Sequence, residues 1–170
     1  ALSLTRAMLH RADRVHWLNV LRAPWCGLTL ADLHSLCAHD RHATIWQLMQ
    51  HGEHLSEDGK VRLQHVQSIL AQAFAHQGRM PLRRWIESTW LQLGGGSTLV
   101  NAGDIRDVQT FFDLIEKLAN GHVLDFAQLE SAMQKLYAEP DVAGNEQLQF
   151  LTIHKSKGLE FDCVVLPALN

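Results

Sequence analysis

The chain is 170 residues long, about one domain and enough to bury a real core. Hydrophobic residues make up 46% and charged residues 19%, which excludes a disordered chain, and no apolar run approaches the roughly 18–20 residues that span a bilayer. A formal net charge of −3 argues against a domain that holds nucleic acid by bulk charge alone.

The charge is unevenly spread. Residues 1–100 hold ten Lys and Arg against seven Asp and Glu, a net +3, while residues 101–150 hold three against nine, a net −6. Residues 151–170 balance at two each. A polyanion should therefore meet the first hundred residues or the terminal lysines. Cys26, Cys37 and Cys163 are odd in number and far apart, which reads as reduced thiols of a cytoplasmic protein. With no secretory leader, no initiator Met and nothing resembling a natural end at Asn170, the chain reads as a piece of a longer protein.

In chain order, residues 2–11 place Leu2, Thr5, Arg6 and Leu9 at helical spacing. Asp13 is placed to cap a helix through Arg22 whose apolar face is Val15, Leu18 and Leu21, with Trp17 beside it. Pro24 and Gly27 end it. Thr29 opens a third helix with Asp32 three residues on as a capping-box variant, and Leu30, Leu33, Leu36 and Cys37 form its stripe. A further helix near 43–50 carries Ile45, Trp46, Leu48 and Met49. Residues 51–60 read as a polar loop or as the cap of the next element. Residues 61–77 form a long amphipathic helix with Val66, Ile69, Leu70, Ala73 and Phe74 on one side. Pro81 suits the first turn of a helix running through Trp85, Ile86 and Trp90. The run "GGGST" at 94–98 predicts a flexible loop. A helix over 104–119 buries Val108, Phe111, Phe112, Ile115 and Leu118 under an acidic face, stopped by Asn120-Gly121. Asp125 caps a last helix over 126–137, and 138–146 is a linker after which the periodicity falls from about 3.6 to 2.

The expected fold is therefore mainly α, a helical body with a strand–turn–strand unit at its end. That unit is "FLTIHKSKGLEFDCVVL" (150–166). His154, Lys155, Ser156, Lys157 and Gly158 sit past the end of the first strand, where an α/β sheet gathers ligands, and lysines with free backbone N–H groups favour a phosphate there. An ordinary solvated loop is an equal reading of the same residues.

The segment resembles motif V of UvrD/Rep/PcrA-type superfamily 1 DNA helicases, with RecB and AddA as relatives. The family pattern is matched at Thr152, His154, Lys157, Gly158, Leu159, Glu160 and Phe161, seven positions in register. Residues 14–36 are similar to the point where these helicases enter the subdomain inserted into their second motor domain. The family's usual Gly-hydrophobic-Gly turn stands here as Gly27-Leu28-Thr29, without its second glycine. Gly27 allows close approach and the helix start at Thr29 offers N–H groups to a phosphate, although a plain packing corner would look the same.

The resemblance implies an organisation: 1–12 as the edge of a second motor domain, 13–140 as the inserted helical subdomain, and 141–170 as the return into an incomplete RecA-like motor domain with motif V. It also implies roles. Thr152 and His154 would contact the single-strand backbone, with Gly27 and Thr29 on duplex DNA. Gly158 and Glu160 would lie against the nucleotide, Glu160 accepting from its ribose, and Lys157 and Phe161 would support the motif. ATP and Mg²⁺ would be cofactors of a full-length 3′-to-5′ helicase or helicase–nuclease of repair and recombination. Its partners would be DNA, single-stranded and at a duplex junction, the remaining motor domains of the same chain, and a possible nuclease or partner subunit, with no membrane.

Residues 1–170 contain no Walker A, since "LGGGSTLV" is glycine-rich without a lysine, and no Asp-Glu pair follows an apolar strand. No ATP hydrolysis is expected from this piece alone, no catalytic residue is assigned within it, and no cofactor is expected in it. His34, Cys37, His39 and His42 lack the tight pairing of a structural zinc site, so no metal is expected either. Trp17, Trp46, Trp85 and Trp90 lie at core spacing, while Trp25 remains open as a stacking surface for bases. The competing reading of the whole is a non-enzymatic helical interaction module whose acidic helix 104–119 holds a partner subunit.

Overall fold

The structure is a computed structural model that describes residues 1–38, 40–120, 123–136, 150–152 and 154–166. It divides into two compact units, Ala1–Ala138 and Glu139–Asn170. The first is helical among its described residues: α1 Leu2–Leu9, α2 Arg14–Arg22, α3 Leu30–Cys37, α4 Ile45–Leu48, α5 Glu57–Ala75, α6 Leu82–Gln92, α7 Ala102–Leu118 and α8 Phe126–Met133. Short 3₁₀ segments, Met49–His54 and Gly95–Thr98, follow α4 and α6.

The ends of these helices are set by side chains that the sequence carries at the right offsets. Asp13 accepts from the His16 N–H, Asp125 accepts from those of Ala127 and Gln128, and Thr29, Thr44 and Asn101 each close a full capping box. Ser56 accepts from Gly59 N, so α5 starts at Glu57, inside the stretch that reads as polar. The fourth helix is shorter than its pattern suggests, because the chain after Leu48 tightens into the 3₁₀ segment. Likewise α8 stops at Met133, short of the expected 137. The Gly121 stop, His39 and the linker 138–146 lie outside the described residues.

Leu4, Ala7 and Met8 of α1 share one core with Trp17, Val20 and Leu21 of α2, Val66 and Leu70 of α5, Ile86 of α6, Ile115 of α7 and Leu129 of α8. An aromatic chain runs through it from Trp17 to Trp46 (5.9 Å between centroids), Phe74 and Trp85, and a second joins Trp90, Phe112 and Phe111. Two expected core residues are outside it. Val15 is 66% exposed and Leu30 67% exposed. The inward stripe of α2 is centred on Trp17, Val20 and Leu21, and at 100° per residue Val15 falls opposite. In α3, Leu33 and Leu36 point inward, leaving Leu30 about a quarter-turn or more away.

The glycine run at 94–98 is not a free loop. Gly94 takes φ +90°, and Gly95 is buried with its α-carbon against the Trp90 indole, where a Cβ would overlap the ring. In the second unit the turn forms but the flanking strands do not, among the described residues. A strand exists through its ladder to a neighbour, and the β-like residues here, such as Phe150 and Val165, are exposed without one.

Candidate nucleic-acid interface

The corner between α2 and α3 is tightly bonded. Gly27 N donates to Ala23 O at 2.7 Å and Leu28 N to Leu21 O at 3.0 Å, which folds the chain back over the end of α2. Gly27 sits at φ +64°, and a Cβ there would stand 3.2 Å from Arg62 Nη1. That guanidinium donates to Cys26 O at 3.4 Å and, through Nε, to Asp58 Oδ2 at 2.6 Å. The glycine therefore serves both the turn and the arginine laid against it from α5.

Asp32 fastens the same corner from beneath. It is 4% exposed; one oxygen accepts from Ser56 N at 2.8 Å, and the other accepts from the Thr29 hydroxyl at 2.7 Å. The Thr29 hydroxyl, followed by the Ser56 N–H, holds the carboxyl below the usual carboxylate range. The starts of α3 and α5 are thus tied through one buried anion. Because the Thr29 hydroxyl donates to Asp32, it cannot also donate to a phosphate in this geometry. The donors left at the corner are the first N–H groups of α3, on Leu30 and Ala31, and the half-exposed Arg62. Sequence reasoning missed Arg62: its i,i+4 partner Asp58 is visible in the sequence, but its contact with Cys26, 36 positions away, is not.

The terminal turn is built from short-range bonds. Lys155 N and Ser156 N both donate to Thr152 O, at 2.9 and 3.0 Å, and Leu159 N donates to Ser156 O at 3.0 Å. Gly158 has φ +86°, with nothing within 4 Å of where a Cβ would stand. Thr152, His154, Lys157, Gly158, Glu160 and Phe161 are all exposed around it. The turn brings them together as a short, open surface.

Most cations of the first hundred residues are engaged internally. Arg6 pairs with Glu130, Arg11 lies 4.1 Å over the Phe74 ring, Arg14 donates to the Ala43 carbonyl, and Lys60 pairs with Glu57 at 2.8 Å. Arg83 on α6 holds Asp113 at 2.6 Å and Glu116 at 2.5 Å on α7, besides Glu87, and these carboxylates raise its pKa, Glu116 foremost. Much of the acidic face of α7 thus faces its own neighbour rather than a partner. Among the described residues the side chains of Arg22, Arg41, Arg79 and Arg84 have no such partner.

Trp17, Trp85 and Trp90 are core residues, and Trp46 and Trp25 pack partly buried against that core. Trp25 is therefore not a freely exposed stacking face. Burial raises the Cys26 thiol to about 11, so it is protonated at neutral pH. No three His, Cys, Asp or Glu side chains among the described residues gather as metal ligands, and no helix among them is long and apolar enough to cross a membrane.

The UvrD-like helicase C-terminal domain family matches residues 38–170, from the end of α3 through the terminal turn. No curated protein and no solved structure matches the chain.

Proposed function

The chain belongs to the UvrD-like helicase C-terminal domain family, and from that we propose that it is part of a longer ATP-dependent DNA helicase or helicase–nuclease, working 3′ to 5′ in repair or recombination in the cytoplasm. A helicase-related role, with DNA and other domains of the same chain as partners, is what the family itself carries. In the proposed assignment, the helical residues 13–140 are the inserted subdomain that contacts duplex DNA. Residues 1–12 and 141–170 belong to the RecA-like motor, where the apolar flanks of the terminal turn find their sheet. A nuclease domain or partner subunit is a further neighbour in this reading.

The observation that carries it is the family match over 38–170, a span that takes in both most of the helical body and the terminal turn. At that turn, Thr152 and His154 contact the single-strand backbone, an imidazole and a hydroxyl both being able to donate to phosphate. Gly158 leaves an open face for the nucleotide, and Glu160 suits a ribose hydroxyl, while Lys157 and Phe161 support the motif. These residues fit one wall of an ATP site and no more. In this reading, phosphate and metal binding fall to other domains of the longer protein. Bound ATP supplies the energy of translocation; this chain's part is to position ribose and DNA on one turn. At the α2–α3 corner, Gly27 and the helix start at Thr29 approach a duplex phosphate, with the N–H groups of Leu30 and Ala31 and the Arg62 guanidinium as donors.

Paired titrations of a nucleotide analogue and single-stranded DNA on the full-length helicase test the assignment. Glu160→Ala should weaken nucleotide binding and spare DNA, and His154→Ala should do the reverse, each by roughly 5- to 150-fold for one lost hydrogen bond of about 1–3 kcal/mol. Equal losses of both ligands in both variants would reduce the turn to a structural element.

A further inference from the structure

A groove of about 260 Å³ lies between α5 and α6. Its polar lining includes Gln72, His76, Arg84, Ser88, Thr89 and Gln92, and none of its lining residues is a carboxylate, on a chain whose net charge is −3. Arg84, Ser88 and Gln92 follow one another at four-residue steps along α6, a row about 12 Å long. Gln72 on α5 and His76, the residue that caps its end, repeat that step. The floor is fixed, because the Trp85 indole N–H donates to Ala73 O at 2.7 Å and ties the two helices together. Arg84 has no side-chain partner among the described residues, and neither does Arg79, which precedes the groove-lining Met80. The neighbouring Glu87 is turned to Arg83.

From this we infer that the α5–α6 groove is a second binding site for the phosphodiester backbone of duplex DNA, distinct from the α2–α3 corner. A guanidinium free of carboxylates is suited to a bidentate phosphate contact, and the Gln72 and Gln92 amides supply weaker donors to phosphate and sugar oxygens beside it, the Ser88 hydroxyl being already donated to Trp85 O. The 12 Å row spans three to four of the roughly 3.4 Å axial steps between successive phosphates of one strand. No base edge is read, so the contact is independent of sequence. The inference rests on the reading that this chain binds DNA.

The test is titration of a fluorescent 20-base-pair duplex with the 170-residue chain at several salt concentrations. Each phosphate contact contributes about −0.9 to the slope of log affinity against log salt. Arg84→Gln should make the slope shallower by about 0.9, and Arg79→Gln with Arg84→Gln by about 1.8, whereas Arg41→Gln, which removes an unpartnered arginine that does not line the groove, should leave it unchanged. Equal effects of Arg41→Gln and Arg84→Gln would reduce the groove to general surface charge and overturn the assignment, leaving DNA binding itself in place. Salt-sensitive binding that neither Arg79 nor Arg84 affects would place the contact at the α2–α3 corner alone. Absence of duplex binding by the wild-type chain would overturn both readings.

Discussion

Asp32 shows how one side chain sets the geometry of a surface it does not reach. Its capping role was legible in the sequence, from Thr29 three positions earlier, but its bond to Ser56 N was not, because nothing local links residues 24 apart. Asp32→Ala would leave a Thr29 hydroxyl and a Ser56 N–H without their shared acceptor and untie the starts of α3 and α5. It should cost roughly 2–3 kcal/mol at neutral pH, read by urea unfolding. The pH dependence has a definite sign. The carboxyl is held below its ordinary value of 3.8 in the folded state, so its contribution is present above that value and is lost as pH falls through the lower, folded value. The gap between wild type and Asp32→Ala should therefore narrow on acidification below about 4. A gap that is negligible at neutral pH, or that widens in acid, would show that the carboxylate does not hold the corner. Gly27 is a poorer probe of DNA contact than its place in the motif suggests. Any side chain there meets both a left-handed backbone and the Arg62 guanidinium, so lost folding would mimic lost binding.

At the scale of elements, the helices were legible wherever an apolar stripe and a cap agreed. Asp13 and Leu21 mark α2 in this way, as Thr29 and Leu33 mark α3. Position around the helix was less legible than its existence. Val15 and Leu30 share the spacing of their stripes yet face solvent, since helix–helix packing, not spacing alone, selects the buried side. The glycine run after α6 misled most. Composition reads it as slack, whereas Gly95 is where the chain crosses the Trp90 ring. Gly95 does not need a left-handed backbone, so Gly95→Ala isolates the steric effect and should destabilise by roughly 1–3 kcal/mol. Gly96→Ala, whose Cβ would meet Leu91 at an ordinary 3.6 Å, should change little. Thermal melts of the two variants decide it, and equal melting temperatures would mean that the turn is as loose as its composition suggests.

For the whole molecule, the sequence separated a basic first hundred residues from an acidic stretch but could not say which charges were available. Arg6, Arg11, Arg14, Lys60 and Arg83 are held by the fold, so the cationic surface is smaller than the +3 implies and is concentrated at Arg62 and the free arginines. The terminal turn was legible as a motif; its strands were not realised among the described residues, because pairing is a property of two segments and a pattern describes one. In the proposed assignment the helical body holds duplex DNA through backbone phosphates, with Arg62 as the cation that α5 brings to the α2–α3 corner. Asp58 now holds that guanidinium at 2.6 Å, in competition with any phosphate. The most direct measurement is duplex affinity across a salt series for the wild-type chain and for Asp58→Asn. Binding should weaken steeply with salt, and Asp58→Asn should bind roughly 2- to 5-fold tighter as the competition is relieved. Salt-insensitive binding, or weaker binding by a folded Asp58→Asn, would contradict the account.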